Sequence, residues 1–144
     1  MMTKELERIE EERARNNAFM HHTGIEMVDV DIDLAKYKLT IRPETKNPYG
    51  LLHGGAIYTL ADNATGAAAC SDGRYYVTQT SSLHFLRNVA EGTVYATATV
   101  RHRGRVTCLT AVDITSETGK LLATGEFTFF CVDKKLMDQK RDER

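Results

Sequence analysis

The chain has 144 residues, 42% of them hydrophobic and 27% charged, with a formal net charge of -1. A chain of this length buries roughly 68–70% of its surface as one unit, so a single domain over 1–144 is expected. The near-neutral balance excludes general nucleic-acid binding. No apolar run is long enough for a secretory leader or a membrane span, so the expected location is the cytoplasm. Cys70, Cys108 and Cys131 are odd in number, far apart and without metal-ligand spacing; reduced, packed thiols and no metal site are expected.

In chain order, residues 3–20 predict a surface helix with a thin apolar stripe of Leu6, Ile9, Phe19 and Met20 and a Glu11/Arg15 pair on its polar side. His21 and His22 end it before Gly24. The period then changes to two. Val28, Val30 and Ile32 alternate with aspartates, and Tyr37, Leu39 and Ile41 alternate with basic or hydroxyl residues, which predicts two half-buried antiparallel strands.

Residues 47–70 follow, a loop that turns into a long helix of small residues. Between Gly55 and Ala69 stand six alanines and two glycines beside Ile57, Tyr58 and Leu60. A helix that is apolar all round is buried, and small side chains let a sheet wrap closely around it. Asp62 breaks the pattern, and a carboxylate there needs hydrogen-bond partners or a wet cleft. At the helix start Gly54 and Gly55 leave backbone N–H groups uncovered, donors suited to a carbonyl oxygen that becomes an oxyanion. Asp62 lies eight residues beyond Gly54, roughly 12 Å along the axis, too far for both to reach one atom. Two copies of the helix facing each other across an interface would solve that geometry.

Beyond the turn Ser71-Asp72-Gly73, residues 76–86 predict a third strand whose centre, Thr78 to Ser82, puts hydroxyls on both faces. That suits a ligand wall, a subunit contact or a plain solvated face. Residues 93–102 predict a strand with Val94, Ala96, Ala98 and Val100 on one face. Residues 106–115 and 120–132 predict two more, the last with Phe127 and Phe129 together. The tail 134–144 is charged and is expected to be flexible. The order describes an α+β fold with a curved antiparallel sheet around one central helix, its core at about 24–132. No dinucleotide or P-loop glycine motif follows a strand.

The pattern Asn47-x-x-Gly50-x-x-His53-Gly54-Gly55, followed by Leu60-Ala61-Asp62, resembles the signature of hotdog-fold acyl-CoA thioesterases, in the branch that includes the phenylacetic-acid-degradation thioesterase. The likeness extends to Val77-Thr78, Phe85-Leu86, Arg103-Gly104-Arg105 and the run from Gly119 to Gly125. It implies hydrolysis of acyl-CoA or aryl-acyl-CoA thioesters to free acid and coenzyme A, with no cofactor. In this resemblance Asp62 is general base or nucleophile, Gly54 polarises the carbonyl through its N–H, His53 and Asn47 orient the thioester or water, and Thr78 positions the water. Gly55 adds a second donor. Thr80, Phe85, Arg103, Gly104 and Arg105 contact coenzyme A, with Arg87 and His102 as further candidates. The resemblance also implies at least a homodimer with shared sites, arranged as a dimer of dimers. The family's proline after Phe-Leu is absent here, where the run is Leu86-Arg-Asn-Val89.

Plainer readings stand beside these. His53 is equally a helix cap, Asn47 an Asx-turn residue before Pro48, Thr78 an ordinary strand threonine, Asp62 a structural acid, and the arginine-rich hairpin a solvated turn. The competing functions are a non-catalytic acyl-CoA or acyl-carrier binding protein, and a hydratase on the same fold, which typically carries a different His and acid arrangement.

Overall fold

The long small-residue segment forms the axis of the molecule. In a computed structural model, which describes residues 3–133, 138–139 and 142–143, it is the helix α3, Gly54–Cys70. Before it come α1 (Lys4–Arg15), α2 (Ala18–His22), β1 (Ile25–Asp31) and β2 (Leu34–Thr40). After it come β3 (Tyr75–Phe85), β4 (Thr93–Arg103), β5 (Thr107–Ser116) and β6 (Leu121–Val132). The strands form one six-stranded sheet in the order β1-β2-β4-β5-β6-β3, every pairing antiparallel. The sheet wraps α3, and all six strands touch it.

Composition explains the wrap. Ala61, Ala64, Ala67, Ala68 and Ala69 are fully buried, and their methyl groups hold the sheet close to the helix axis. Leu60, Ile57 and Phe127 fill the wider gaps, each burial contributing about 1.5–3 kcal/mol. Strand alternation delivers the rest: Val94, Ala96 and Ala98 of β4 and Phe127 and Phe129 of β6 face inward together.

Three expectations need correction. The N-terminal helix is two helices, because Asn16 caps the end of the first and Asn17 the start of the second, the Asn17 side chain accepting the Met20 N–H at 3.3 Å. Its ion pair joins Glu10 to Arg13 at 3.0 Å instead of Glu11 to Arg15; Glu10 is buried and also accepts the Tyr37 hydroxyl at 3.1 Å. In β1 the register slips between Met27 and Asp29, so Ile25 and Val30 point inward while Val28 stays exposed; Ile32, also exposed, lies beyond the strand in the turn. A bulge reverses the alternation that a simple period of two predicts. The tail from Lys134 falls largely outside the described residues. Among those described, no helix is long and apolar enough to cross a membrane.

Candidate active site

The loop before α3 is held by its own side chains. Asn47 Oδ1 accepts the N–H groups of Tyr49 at 2.9 Å and Leu51 at 3.1 Å, the Asx-turn arrangement, and Gly50 supplies a φ of 76° that glycine adopts without strain. The buried Leu52 and His53 then anchor the loop through backbone bonds to Val89 and Thr45.

His53 is the N-cap of α3. Its Nδ1 accepts the Gly55 N–H at 2.8 Å, which places the proton of the neutral ring on Nε2. The His53 carbonyl accepts the Ala56 N–H at 2.9 Å. Of the first-turn donors, therefore, the Gly54 N–H alone has no partner among the described residues. The expectation that Gly55 offers a second free donor is corrected: its N–H is spent on the cap. Phe85, 51% exposed, stands beside the free donor; a Cβ on Gly54 would lie 3.7 Å from its ring.

Asp62 sits two turns on, half-buried, where α3 leaves the sheet's cover. The Thr78 hydroxyl donates to its Oδ1 at 2.7 Å. Thr78 is presented by a bulge, since the pairing of β3 with β6 slips between Thr78 and Thr80, and such slips re-aim side chains. Both residues line a cleft of about 480 Å³ with Tyr58, Asn63, Gly66 and Phe129, and with Arg13, Asn17 and Phe19 from the N-terminal helices. Among the described residues no group of His, Cys, Asp or Glu is placed to hold a metal ion.

The helix α3 thus opens on one N–H without a partner among the described residues and carries a hydrogen-bonded carboxylate two turns later. Residues 49–123 match the model of the thioesterase superfamily. The chain belongs to that superfamily. Its similarity to the acyl-coenzyme A thioesterase PaaI of Escherichia coli, 32% identical over 75% of this chain and 78% of that protein, places it in the PaaI-like branch. The solved E. coli PaaI protein of the phenylacetic acid degradation operon superposes with a TM-score of 0.87 at 26% identity, covering 92% of this chain and 97% of that one. A Streptococcus mutans protein solved bound to acetyl-CoA superposes with a TM-score of 0.73 at 30% identity, covering 76% and 90%. The chain is a thioesterase with the hotdog fold.

In this thioesterase the arginine hairpin divides in two. Arg103 was expected to face phosphate, yet its side chain turns inward. Nη2 donates to Asp33 at 2.8 Å and to the Ala68 carbonyl at 3.1 Å, and Nη1 donates to the Ala69 carbonyl at 2.8 Å and the Tyr76 hydroxyl at 3.0 Å. Nη1 also pairs with Asp72 at 2.8 Å. Burial opposes the charge, but the bond to Asp33 and the charge of Asp72 outweigh it and raise the guanidinium pKa above its ordinary value. Arg103 thus closes the C-terminal end of α3 and is corrected from a phosphate contact to a structural one. Gly104 keeps the hairpin tight, since a Cβ there would lie 3.0 Å from the Thr107 carbonyl oxygen. The Arg105 side chain stays exposed, as do Thr80, Arg87 and His102.

Two features escaped the sequence reading. One is the cluster Asp72, Arg74, Tyr76 and Arg103, whose only signal was the run Asp72-Gly-Arg74-Tyr-Tyr76 after a helix end. The other is the contribution of Asn17 and Phe19 to the Asp62 cleft, which a continuous helix over 3–20 does not predict.

Proposed function

We propose that this thioesterase hydrolyses acyl-CoA or aryl-acyl-CoA to the free acid and coenzyme A. The observation that carries the reading is the Thr78–Asp62 hydrogen bond at 2.7 Å inside a cleft. Thr78 fixes Oδ1 and leaves Oδ2 to take the proton of a water attacking the thioester carbonyl; in the alternative the carboxylate attacks directly, displaces the thiolate to form a mixed anhydride, and water then hydrolyses that anhydride to the free acid. The developing oxyanion meets the Gly54 N–H, and the carbon–sulfur bond then breaks, the proton taken up by Asp62 passing to the leaving sulfur to release the coenzyme A thiol. Exposed Arg105, with Thr80 and Phe85, contacts the coenzyme A portion, and His53 Nε2–H and Asn47 line the loop that orients the thioester.

Roughly 12 Å of helix separates Gly54 from Asp62, so the donor and the acid of one site come from two copies of the chain. β3 supports that pairing. It is an edge strand of eleven residues without a single Lys, Arg, Asp or Glu, and an uncharged edge of this length is a template for another strand. Two copies joined along β3 form the dimer, and two dimers form the tetramer that the resemblance implies.

The test is release of free thiol from a panel of acetyl-, hexanoyl-, phenylacetyl- and hydroxybenzoyl-CoA, with wild type beside Asp62→Ala. Turnover of at least one substrate, lost by 10²-fold or more in the variant, is the expected result. Binding without turnover would replace this reading with a non-catalytic acyl-CoA binding protein.

A further inference from the structure

The cleft at Asp62 has one wall that the matched superfamily stretch does not supply. That stretch begins at residue 49, whereas Arg13, Asn17 and Phe19 belong to the N-terminal helices. Asn17 bolts the two parts together. Its Oδ1 caps α2, and its Nδ2 donates at 2.8 Å to Oδ1 of Asn63, the neighbour of Asp62 on α3. Asn63 in turn donates to the Thr59 carbonyl at 2.8 Å, so neither amide is free to swing. One residue into α2 stands Phe19, and Met20 after it is buried in the core. Consecutive helical residues point about 100° apart. Burying Met20 therefore turns Phe19 out of the core, 64% exposed, onto the cleft that Asp62, Thr78, Tyr58 and Val77 also line.

We propose that Phe19 is a specificity-determining residue of the acyl site: its ring is the wall against which the acyl group of the substrate packs, and the Asn17–Asn63 bond is the positioning contact that holds it over Asp62. The proposal rests on the thioesterase reading of the cleft. A large apolar ring left exposed in the free protein becomes covered when an apolar acyl group enters, and this gives the site a preference by acyl shape that the Asp62–Thr78 pair alone cannot provide.

The chain has no tryptophan, so Phe19→Trp introduces a single reporter at this wall. The variant is titrated with a non-hydrolysable thioether analogue, S-(2-phenylethyl)-coenzyme A, and separately with coenzyme A alone. A blue shift of the emission with the thioether and none with coenzyme A is expected, because only the former carries a group that reaches the acyl wall. The same response to both, or to neither, would overturn the proposal. This readout needs no turnover, so an inactive wild type would sink the hydrolytic reading without deciding the placement of Phe19. Kinetics supply the second arm. Phe19→Ala is expected to change the phenylacetyl-to-acetyl ratio of kcat/KM by about tenfold, and Asn17→Ala to move it in the same direction by less. Equal losses on both substrates, or an unchanged ratio, would return both residues to a merely structural role.

Discussion

Asp33 and Arg103, seventy positions apart, meet at 2.8 Å and close the C-terminal end of the central helix. Asp33 adopts a φ of 62° in the β1–β2 turn, a left-handed conformation that aspartate tolerates better than most residues, and the guanidinium holds its carboxylate there. Replacing Arg103 by Ala uncovers the Ala68 and Ala69 carbonyls, removes the guanidinium bound to Asp33, and leaves Asp72 with Arg74 and Tyr76 alone. A loss of about 2–4 kcal/mol in denaturant unfolding is expected, at the lower end for a buried pair because the side chain is partly exposed. Arg105→Ala is expected to do the reverse, leaving the unfolding midpoint in place while raising KM for acyl-CoA several-fold. A stable Arg103→Ala with weakened acyl-CoA binding would restore the phosphate role to Arg103.

The Asp72 carboxyl ties the same cluster to pH. Burial pushes its pKa up, but hydrogen bonds from Tyr76 and Arg74 and the charge of Arg103 outweigh that, and the net direction is downward. A carboxylate held below its ordinary value of about 3.9 stabilises the fold fully above that pH and loses its contribution as the pH falls through the lower folded value. Wild type is expected to be more stable than Asp72→Asn at pH 7, with the difference shrinking on acidification below about pH 4. Thermal unfolding of both proteins from pH 7 to pH 2.5 checks this, and parallel curves would remove Asp72 from the account.

Gly125 and Gly54 call for opposite outcomes on the same substitution. At Gly125 of β6 an added Cβ would overlap the Ser82 carbonyl oxygen and lie 2.9 Å from the Leu83 Cα, both backbone atoms of the paired strand β3. Gly125→Ala is expected to cost about 3 kcal/mol or more, or to prevent soluble folding. At Gly54 the new methyl group meets only the Phe85 ring at 3.7 Å, ordinary contact, and alanine favours the helix by up to about 1 kcal/mol. Gly54→Ala is therefore expected to fold at least as well as wild type and still lose about tenfold or more in kcat/KM, because the methyl crowds the open donor. Circular dichroism melts beside thiol-release kinetics separate the two cases.

Thr78→Val keeps a β-branched side chain on the strand and removes the proton that Asp62 Oδ1 accepts. Hydrogen bonds to a charged group are worth about 1.5–3 kcal/mol, so a loss of about tenfold or more in kcat is expected, against about 10²–10⁴ for Asp62→Asn. If the double variant is no more impaired than Asp62→Asn alone, Thr78 acts through Asp62; if Thr78→Val matches wild type, its hydroxyl is only a strand feature.

Much of the molecule was legible in the residues because it depends on local pattern. The alanine-rich run announced a buried helix, alternation marked β4 and β6, and Gly54-Gly55 before Asp62 announced the family motif. What stayed hidden depends on tertiary partners. The bulge in β1 that exposes Val28 leaves no mark in a period of two, and Ile32 falls in the turn after the strand. The helix break at Asn17 is a cap that competes with good helix formers on both sides. Arg103 and Arg105 look alike in a hairpin, and only the carboxylates of Asp33 and Asp72, remote in sequence, separate them. His53 and Asn47 satisfied their plainer readings as cap and turn, and the cap also fixes the tautomer that leaves Nε2–H outward.

The placement of Gly54 and Asp62 on one rigid helix has a genetic consequence. If each site borrows its donor from one chain and its acid from the other, lesions at the two positions are recessive to each other. A population mixed from Gly54-blocked and Asp62→Ala chains assorts into about half heterodimers, each with one site built wholly from sound parts and one carrying both defects, so about a quarter of wild-type activity returns. Two alleles, each inactive alone, would complement.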